Sequence, residues 1–246
     1  MARIKVVDDG IELDSPTLVE GLPGAGLVGR IATDHLVNEL DMTYYAALHC
    51  GGLPRVAVYE GDSSVLRPPV RMYADPETDL LALQSDVPVS PKRATEFAGC
   101  VTGWLDSNGV FPLYLSGLAE ETEGSPELYG VATGEAEPRL DEAGIVPPRG
   151  NGLVSGPTGA LLARAMETDL DAIGLIVRTD PRFPDPEAAR TVLEHGVEPI
   201  AGIDVGTDRL VEQADEIRSA REQFAKRLEE MDGDEITRAQ PIRGFQ

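Results

Sequence analysis

The stretch TLVEGLPGAGLVGRIATDHLVNEL, residues 17–40, constrains the fold more than any other. A short apolar run ends in a glycine-rich turn and flows into a segment with Leu27, Ile31, His35 or Leu36, and Leu40 at helical spacing, which makes a strand–turn–helix unit. Gly24, Gly26 and Gly29 spell G-x-G-x-x-G, the spacing that lets a pyrophosphate approach bare backbone at a helix N-terminus. A dinucleotide also needs Asp or Glu at the end of the next strand to hold the ribose hydroxyls. That strand, TYYAALHC, runs instead into His49, Cys50, Gly51 and Gly52, with no acid until Glu60, and Pro23 stiffens the turn before the glycines. The glycines therefore read as devices of the fold, for a tight turn and close helix–sheet packing. A small anion held at Gly24, Ala25 and Gly26 is the alternative.

Strand-like and helical runs alternate for most of the chain. VAVYE, VRMYAD and DLLALQSDV are expected strands separated by turn residues, hairpin-like additions to a sheet. Pro91 opens a helix over about 92–108, which Asn108-Gly109 stops. VFPLYLSGL and ELYGVAT are further strands, and residues 134–151 read as loop. GLVSG and AIGLIVRT flank a helix over 158–168, a strand–helix–strand unit that favours a parallel crossover sheet. The expected fold is α/β, a mostly parallel central sheet flanked by helices. Residues 1–207 form its domain. Residues 208–231 form a helix whose stripe of Leu210, Ala214, Ile217, Phe224, Leu228 and Met231 packs on that domain or on another subunit, and 232–246 are a mobile tail.

Acidic residues number 43 and basic residues 21, for a net charge of −22. Such a chain repels nucleic acid and anionic membrane, and no local basic patch offsets this. An acid-rich, lysine-poor surface suits a salt-loving source, where the Debye length falls to about 3 Å. Two cysteines, Cys50 and Cys100, make no disulfide framework and are expected to be small buried thiols in a reducing cytosol. With no signal-like N-terminal run and no eighteen-residue apolar stretch, the expectation is a soluble cytoplasmic protein.

Catalytic chemistry is thinly represented. No G-x-S-x-G elbow occurs, and His35, His49 and His195 lie far apart, so no catalytic residue, metal site or cofactor is expected. A second glycine loop, SGPTGALL, repeats the first: Ser155 or Thr158 caps a helix while Gly156 and Gly159 relax the backbone. Two such loops at strand ends line one crevice in an open parallel sheet. Arg67 and Arg71 flank Pro68-Pro69 and share a face of an extended strand, as a clamp for carboxylate or phosphate or, in so acidic a chain, for its own Asp and Glu.

In order along the chain, VEGLPGAGLVGRIATDHLVNEL, LPRVAVYEG, RPPVRMYA, DLLALQSDVPVSP, GLVSGPTGALL and RTDPRFPDPEAARTVLEHG resemble the archaeal branch of the proteasome-assembly-chaperone family, the group related to its second member, in a haloarchaeal-type sequence. The resemblance implies a nucleoside phosphorylase/hydrolase-like fold without an established active site, homo-oligomers, and a non-catalytic role on proteasome α subunits or their ring. It also implies a C-terminus whose hydrophobic–tyrosine–any ending enters pockets between α subunits. Here Gly244, Phe245 and Gln246 hold those places, with glycine for the hydrophobic residue and phenylalanine for tyrosine. The rival reading is an enzyme or binding protein for a small anionic, phosphate- or nucleoside-like metabolite held by the two glycine loops with Arg67 and Arg71.

Overall fold

Eight strands join in one mixed sheet: β1 (Arg3–Val6), β2 (Thr17–Gly21), β3 (Thr43–His49), β4 (Val70–Asp75), β5 (Leu80–Ser85), β6 (Phe111–Ala119), β7 (Leu128–Thr133) and β8 (Ala172–Thr179). Their spatial order is β1-β3-β4-β5-β2-β6-β8-β7. The computed structural model describes residues 3–59, 61, 63–120, 124–212 and 214. The parallel part is the central run β5, β2, β6 and β8, while β1, β3, β4 and β7 pair antiparallel. VRMYAD and DLLALQSDV do form the expected hairpin, β4–β5.

Helices cover the sheet, among the described residues α1 (Val28–Glu39), α2 (Ala94–Ser107), α3 (Glu137–Glu142), α4 (Gly156–Glu167), α5 (Pro186–Val192) and α6 (Glu198–Ala201), the last two joined through a π turn. Side chains alternate across a strand, so neighbouring residues feed opposite cores. Val19, Leu113, Leu115 and Leu175 pack with Val28, Leu36 and Val192 on the α1–α5 side. Leu18, Leu81 and Leu83 pack with Phe97, Val101 and Leu161 on the α2–α4 side. Each such buried side chain contributes about 1.5–3 kcal/mol. Because β3 runs in the same sense as β5 and β2, the segments that follow β2, β3, β5, β6 and β8 all leave one edge of the sheet, its C-terminal edge.

Five expectations need correction or completion. GLVSG is not a strand: residues 152–155 are irregular and Gly156 already opens α4. VAVYE is not a strand. It makes one isolated bridge, Val58 to Arg67, and the next pairings would meet Pro68 and Pro69, which have no N–H to donate. The 134–151 segment holds a short helix, α3, with Pro138 in its first turn and Leu140 turned inward. β1 has no counterpart in the sequence reading, because RIKV is too short and too charged to stand out. Residues 208–212 are helical with Leu210 in the α1-side core, and most of the anticipated 208–231 stripe lies outside the described residues.

The cysteines differ from expectation as well. Cys50, just past β3, and Cys100, within α2, are joined as a disulfide with Cα atoms 5.8 Å apart. The approach of α2 to the end of β3 creates this pairing, and nothing in the local sequence signals it. With the two cysteines 50 positions apart in sequence, the cross-link stabilises the fold by about 4 kcal/mol through the unfolded state. The Cys50→Ser/Cys100→Ser variant is expected to lose a few kcal/mol in urea titrations. The same midpoint with and without a reductant would contradict a stabilising role.

Candidate functional site

The C-terminal edge of the parallel strands is where open α/β sheets bind ligands, and both glycine loops lie there. The first loop is packed from behind. Gly26 has φ +62°, and a β-carbon there would lie 2.1 Å from Thr179 Oγ1. Its neighbour Ala25 sets its carbonyl oxygen over Gly117 of β6, where a β-carbon would meet it at 2.5 Å. The Gly26 carbonyl accepts from the Asp185 amide at 2.9 Å. Asp185 also accepts from Thr179 Oγ1 at 2.8 Å and caps α5 through the Ala188 amide at 3.0 Å. Gly24 stays exposed beside the turn and Ala25 is half-buried.

The second loop reaches the same place through one side chain. Ser155 occupies the N-cap of α4 without a side-chain capping bond, and Gly156, at φ +70°, is exposed. Gly159 lies close to the Val154 carbonyl. Thr158 points inward and donates its hydroxyl to the Glu20 carboxyl, 3.3 Å from either oxygen. Glu20, the one charged residue of TLVEG, is completely buried. Its Oε1 accepts from the Leu22 amide at 2.9 Å and its Oε2 from the Leu115 amide at 3.3 Å. The Leu22 and Leu115 amides, which flank the two loops, thus serve the protein's own carboxyl.

Burial pushes the Glu20 carboxyl up to about 8, against the lowering effect of Leu22, Leu115 and Thr158. Across the strand pair lies Tyr114, whose hydroxyl is pushed up by burial and by Glu20. Both the Tyr114 hydroxyl and the hydroxyl of Thr102 on α2 are buried without a completed hydrogen bond. This polar cluster sits between the sheet and the α2–α4 pair, sealed from solvent.

Arg67 and Arg71 are brought together, as their spacing suggested, over Tyr73. Arg71 Nε donates to the Tyr73 hydroxyl at 3.1 Å and Arg67 Nη1 at 3.4 Å, while Arg67 also lies over the Tyr44 ring. Arg71 then pairs with Asp86 at 2.6 Å, and Arg30 bridges Asp86 at 2.9 Å to Asp34 at 2.7 Å. Burial works against the Arg30 and Arg71 charges, but these partners outweigh it and hold both guanidiniums above their ordinary value. Gln84 completes the network on Asp34 at 2.6 Å. The clamp's acids are internal.

A groove of about 800 Å³ opens farther along this edge, floored by Leu118, Tyr129, Val131 and Ile176 and roofed by residues 148–154. Arg178 pairs there with Glu120 at 3.1 Å and Glu127 at 2.8 Å, and Arg149 with Glu127 at 3.5 Å. Among the described residues no group of three or more His, Cys, Asp or Glu side chains is placed to hold a metal ion, and no helix is long and apolar enough to cross a membrane. His35 lies 2.7 Å from the Gly206 carbonyl oxygen.

Residues 18–225 match the PAC2 family. The chain belongs to that family. It is similar to protein MJ0106 of Methanocaldococcus jannaschii, 29% identical over 218 residues that cover 88% of each chain, and to MJ1210 of the same organism, 27% identical over 98% of this chain and 95% of that one. Among solved structures it is similar to PbaA of Pyrococcus furiosus, described as an archaeal homolog of proteasome-assembly chaperone, with a TM-score of 0.76 and 25% identity over 93% of this chain and 99% of that one. PbaB of the same organism, described as an archaeal proteasome activator, shares the fold, with a TM-score of 0.75 at 22% identity over 91% of this chain and 98% of that one.

The sequence reading passed over Glu20, Asp86 and Asp185. A lone acid inside an apolar strand was the available signal for Glu20. Gly244, Phe245 and Gln246 lie outside the described residues.

Two outcomes test this arrangement. Unfolded, the Glu20 carboxyl ionises near 4.5, whereas folded it keeps its proton to about 8. The native state therefore binds the extra proton in that interval. Its stabilising contribution is whole below the lower value and declines by up to ~1.4 kcal/mol per pH unit as pH rises toward the higher. Urea titrations of the protein and of Glu20→Gln across the interval should show the variant losing less stability as pH rises, and parallel profiles would refute the buried-proton assignment. Gly26→Ala should cost about 2 kcal/mol or more, given its left-handed backbone and the contact with Thr179, and an unchanged melting temperature would speak against close packing.

Proposed function

We propose that this PAC2 protein is a non-catalytic, proteasome assembly chaperone-like factor that acts in the cytoplasm as a homo-oligomer and binds proteasome α subunits or the α ring. The observation that carries the reading is the family membership together with the likeness to PbaA over nearly the whole of both chains. The geometry of the C-terminal edge supports it: Thr179 packs behind Gly26, the Ala25 carbonyl packs over Gly117, and the Leu22 and Leu115 amides serve Glu20.

The C-terminal residues Gly244, Phe245 and Gln246 are the proposed docking tail. One buried phenylalanine ring supplies only about 2–3 kcal/mol. Several tails on one oligomer engaging several pockets multiply affinity by about 10²–10⁴. In concentrated salt the ring and the terminal carboxylate matter more than long-range charge steering.

The alternative, a binding protein or enzyme for a small anionic metabolite, is favoured by one feature, the groove carrying Arg149 and Arg178. Both arginines already face Glu120 or Glu127, which weakens that case.

Unassembled α subunits mixed with the protein in molar salt should co-elute with it and form rings faster, followed by sizing. A chain lacking residues 240–246 should bind far less. Absence of co-elution together with unchanged ring formation would remove the proposal, and reproducible thermal stabilisation by phosphate or nucleosides would favour the metabolite reading.

A further inference from the structure

The Cys50–Cys100 disulfide lies in surroundings that reverse the charge balance of the chain. A recess of about 700 Å³ opens where β3 ends, and Cys50 is among the residues lining it. The charge-bearing side chains around this recess are His49, Arg55, Arg67 and Arg93, against one acid, Glu96. Over the whole chain the acids lead, 43 to 21. Glu96 is itself engaged by Arg93, whose Nε donates to it at 3.1 Å, and Arg55 is exposed. No window of the sequence collects these arginines, because they come from the β3–β4 connection and from the turn before α2.

Local geometry brings the sulfur pair to the same place. Gly51 and Gly52 let the chain after β3 press against the start of α2: a β-carbon on Gly51 would lie 2.4 Å from the Glu96 carboxyl, and the Gly52 carbonyl accepts from the Ser90 amide at 3.0 Å. Glu96 and Cys100 are four residues apart on α2 and so share a face of it. Cys50 keeps 7% exposure and Cys100 is half-buried, at the margin of the α2-side core. Reactive cysteines sit in electropositive, partly exposed surroundings, and exchange needs access for an attacking thiolate. The inference also rests on the cytoplasmic location proposed above, where disulfides are usually transient or redox-sensing.

We infer that the recess at Cys50 is an exchange site for a small thiol carrying carboxylate groups, which opens and recloses the Cys50–Cys100 bond. The carboxylates seat on Arg55 and Arg93. The thiolate attacks the Cys50 sulfur, so a new S–S bond forms as the Cys50–Cys100 bond breaks, and the electron pair leaves on Cys100, which takes up a proton. A second thiolate then attacks the sulfur of the bound molecule. This releases the symmetrical small-molecule disulfide and leaves Cys50 as a thiol once it is protonated. Two small thiols are oxidised for one protein disulfide reduced, and the symmetrical disulfide drives the reverse.

The test follows reduction of the folded, oxidised chain by mercaptosuccinate, mercaptoethanol and cysteamine, which are anionic, neutral and cationic. Each rate is expressed per thiolate and divided by that thiol's rate on hydroxyethyl disulfide. Mercaptosuccinate should exceed mercaptoethanol about tenfold or more, as for an anion in a cationic cleft, with cysteamine slowest. The net charge of −22 alone would order them the other way. Arg55→Gln/Arg93→Gln should bring the three rates close to parity with little change in melting temperature, since both arginines are exposed. Cys100→Ser, treated with the disulfide of mercaptosuccinate, should carry the adduct on Cys50 by peptide mass spectrometry, and Cys50→Ser should label on Cys100 about tenfold more slowly. The reduced wild-type chain should regain its bond with the same reagent. A disulfide that yields only after urea unfolds the chain, a mercaptosuccinate rate no higher than that of mercaptoethanol, a preference that survives loss of both arginines, faster labelling on Cys100, or failure to reclose would each overturn the inference. All of this is measured on the isolated chain, so failure of the α-subunit experiment leaves it standing, and the reverse.

Discussion

Asp185 holds the C-terminal edge together. Its amide binds the carbonyl of Gly26, one carboxyl oxygen takes the Thr179 hydroxyl, and the other caps α5. One residue thus ties the turn after β2, the end of β8 and the start of the next helix. A helix cap of this kind contributes about 1 kcal/mol, but the geometric consequence is larger. With Thr179 pulled under the turn, a β-carbon at residue 26 would collide with its side chain.

The same edge is closed from its other side by Glu20. A carboxyl with no exposure is expensive to ionise, so it retains its proton and behaves as a neutral hydrogen-bonding group between β2, β6 and α4. It takes up the Leu22 amide just before the first glycine loop and the Leu115 amide of β6. The G-x-G-x-x-G spacing and the ligand-prone edge of a parallel sheet both survive, yet Thr179 packs behind Gly26 and the Leu22 and Leu115 amides serve Glu20. What the edge presents outward is instead apolar side chains on the β3–β4 connection and a groove bordered by paired arginines and glutamates.

Much of the architecture was legible because periodicity reports burial. TLVEG, TYYAALHC, VRMYAD and AIGLIVRT have the apolar density of strands buried on two faces, and the helix after Pro91 carries explicit start and stop residues. Local signals failed where long-range contact decides. VAVYE has strand composition, but its potential partners include two prolines. Cys50 and Cys100 are 50 residues apart and meet only because α2 crosses the end of β3. The acids that Arg71 and Arg30 engage come from the end of β5 and from α1 itself, an arrangement that spacing within RPPVRMYA does not reveal. Glu20 was visible only as an anomaly, and its role depended on Thr158, 138 residues away.

Internal closure of the first glycine turn is the claim on which the distinction between a protein-recognition factor and a metabolite-binding protein rests. Backbone amide NMR during titration with inorganic phosphate and with a nucleoside monophosphate tests it most directly. Closure predicts that the amides of residues 22–27 and 115–117 show no saturable shift with either ligand. Saturable shifts confined to those amides would mean that the turn opens to an anion, and would contradict it.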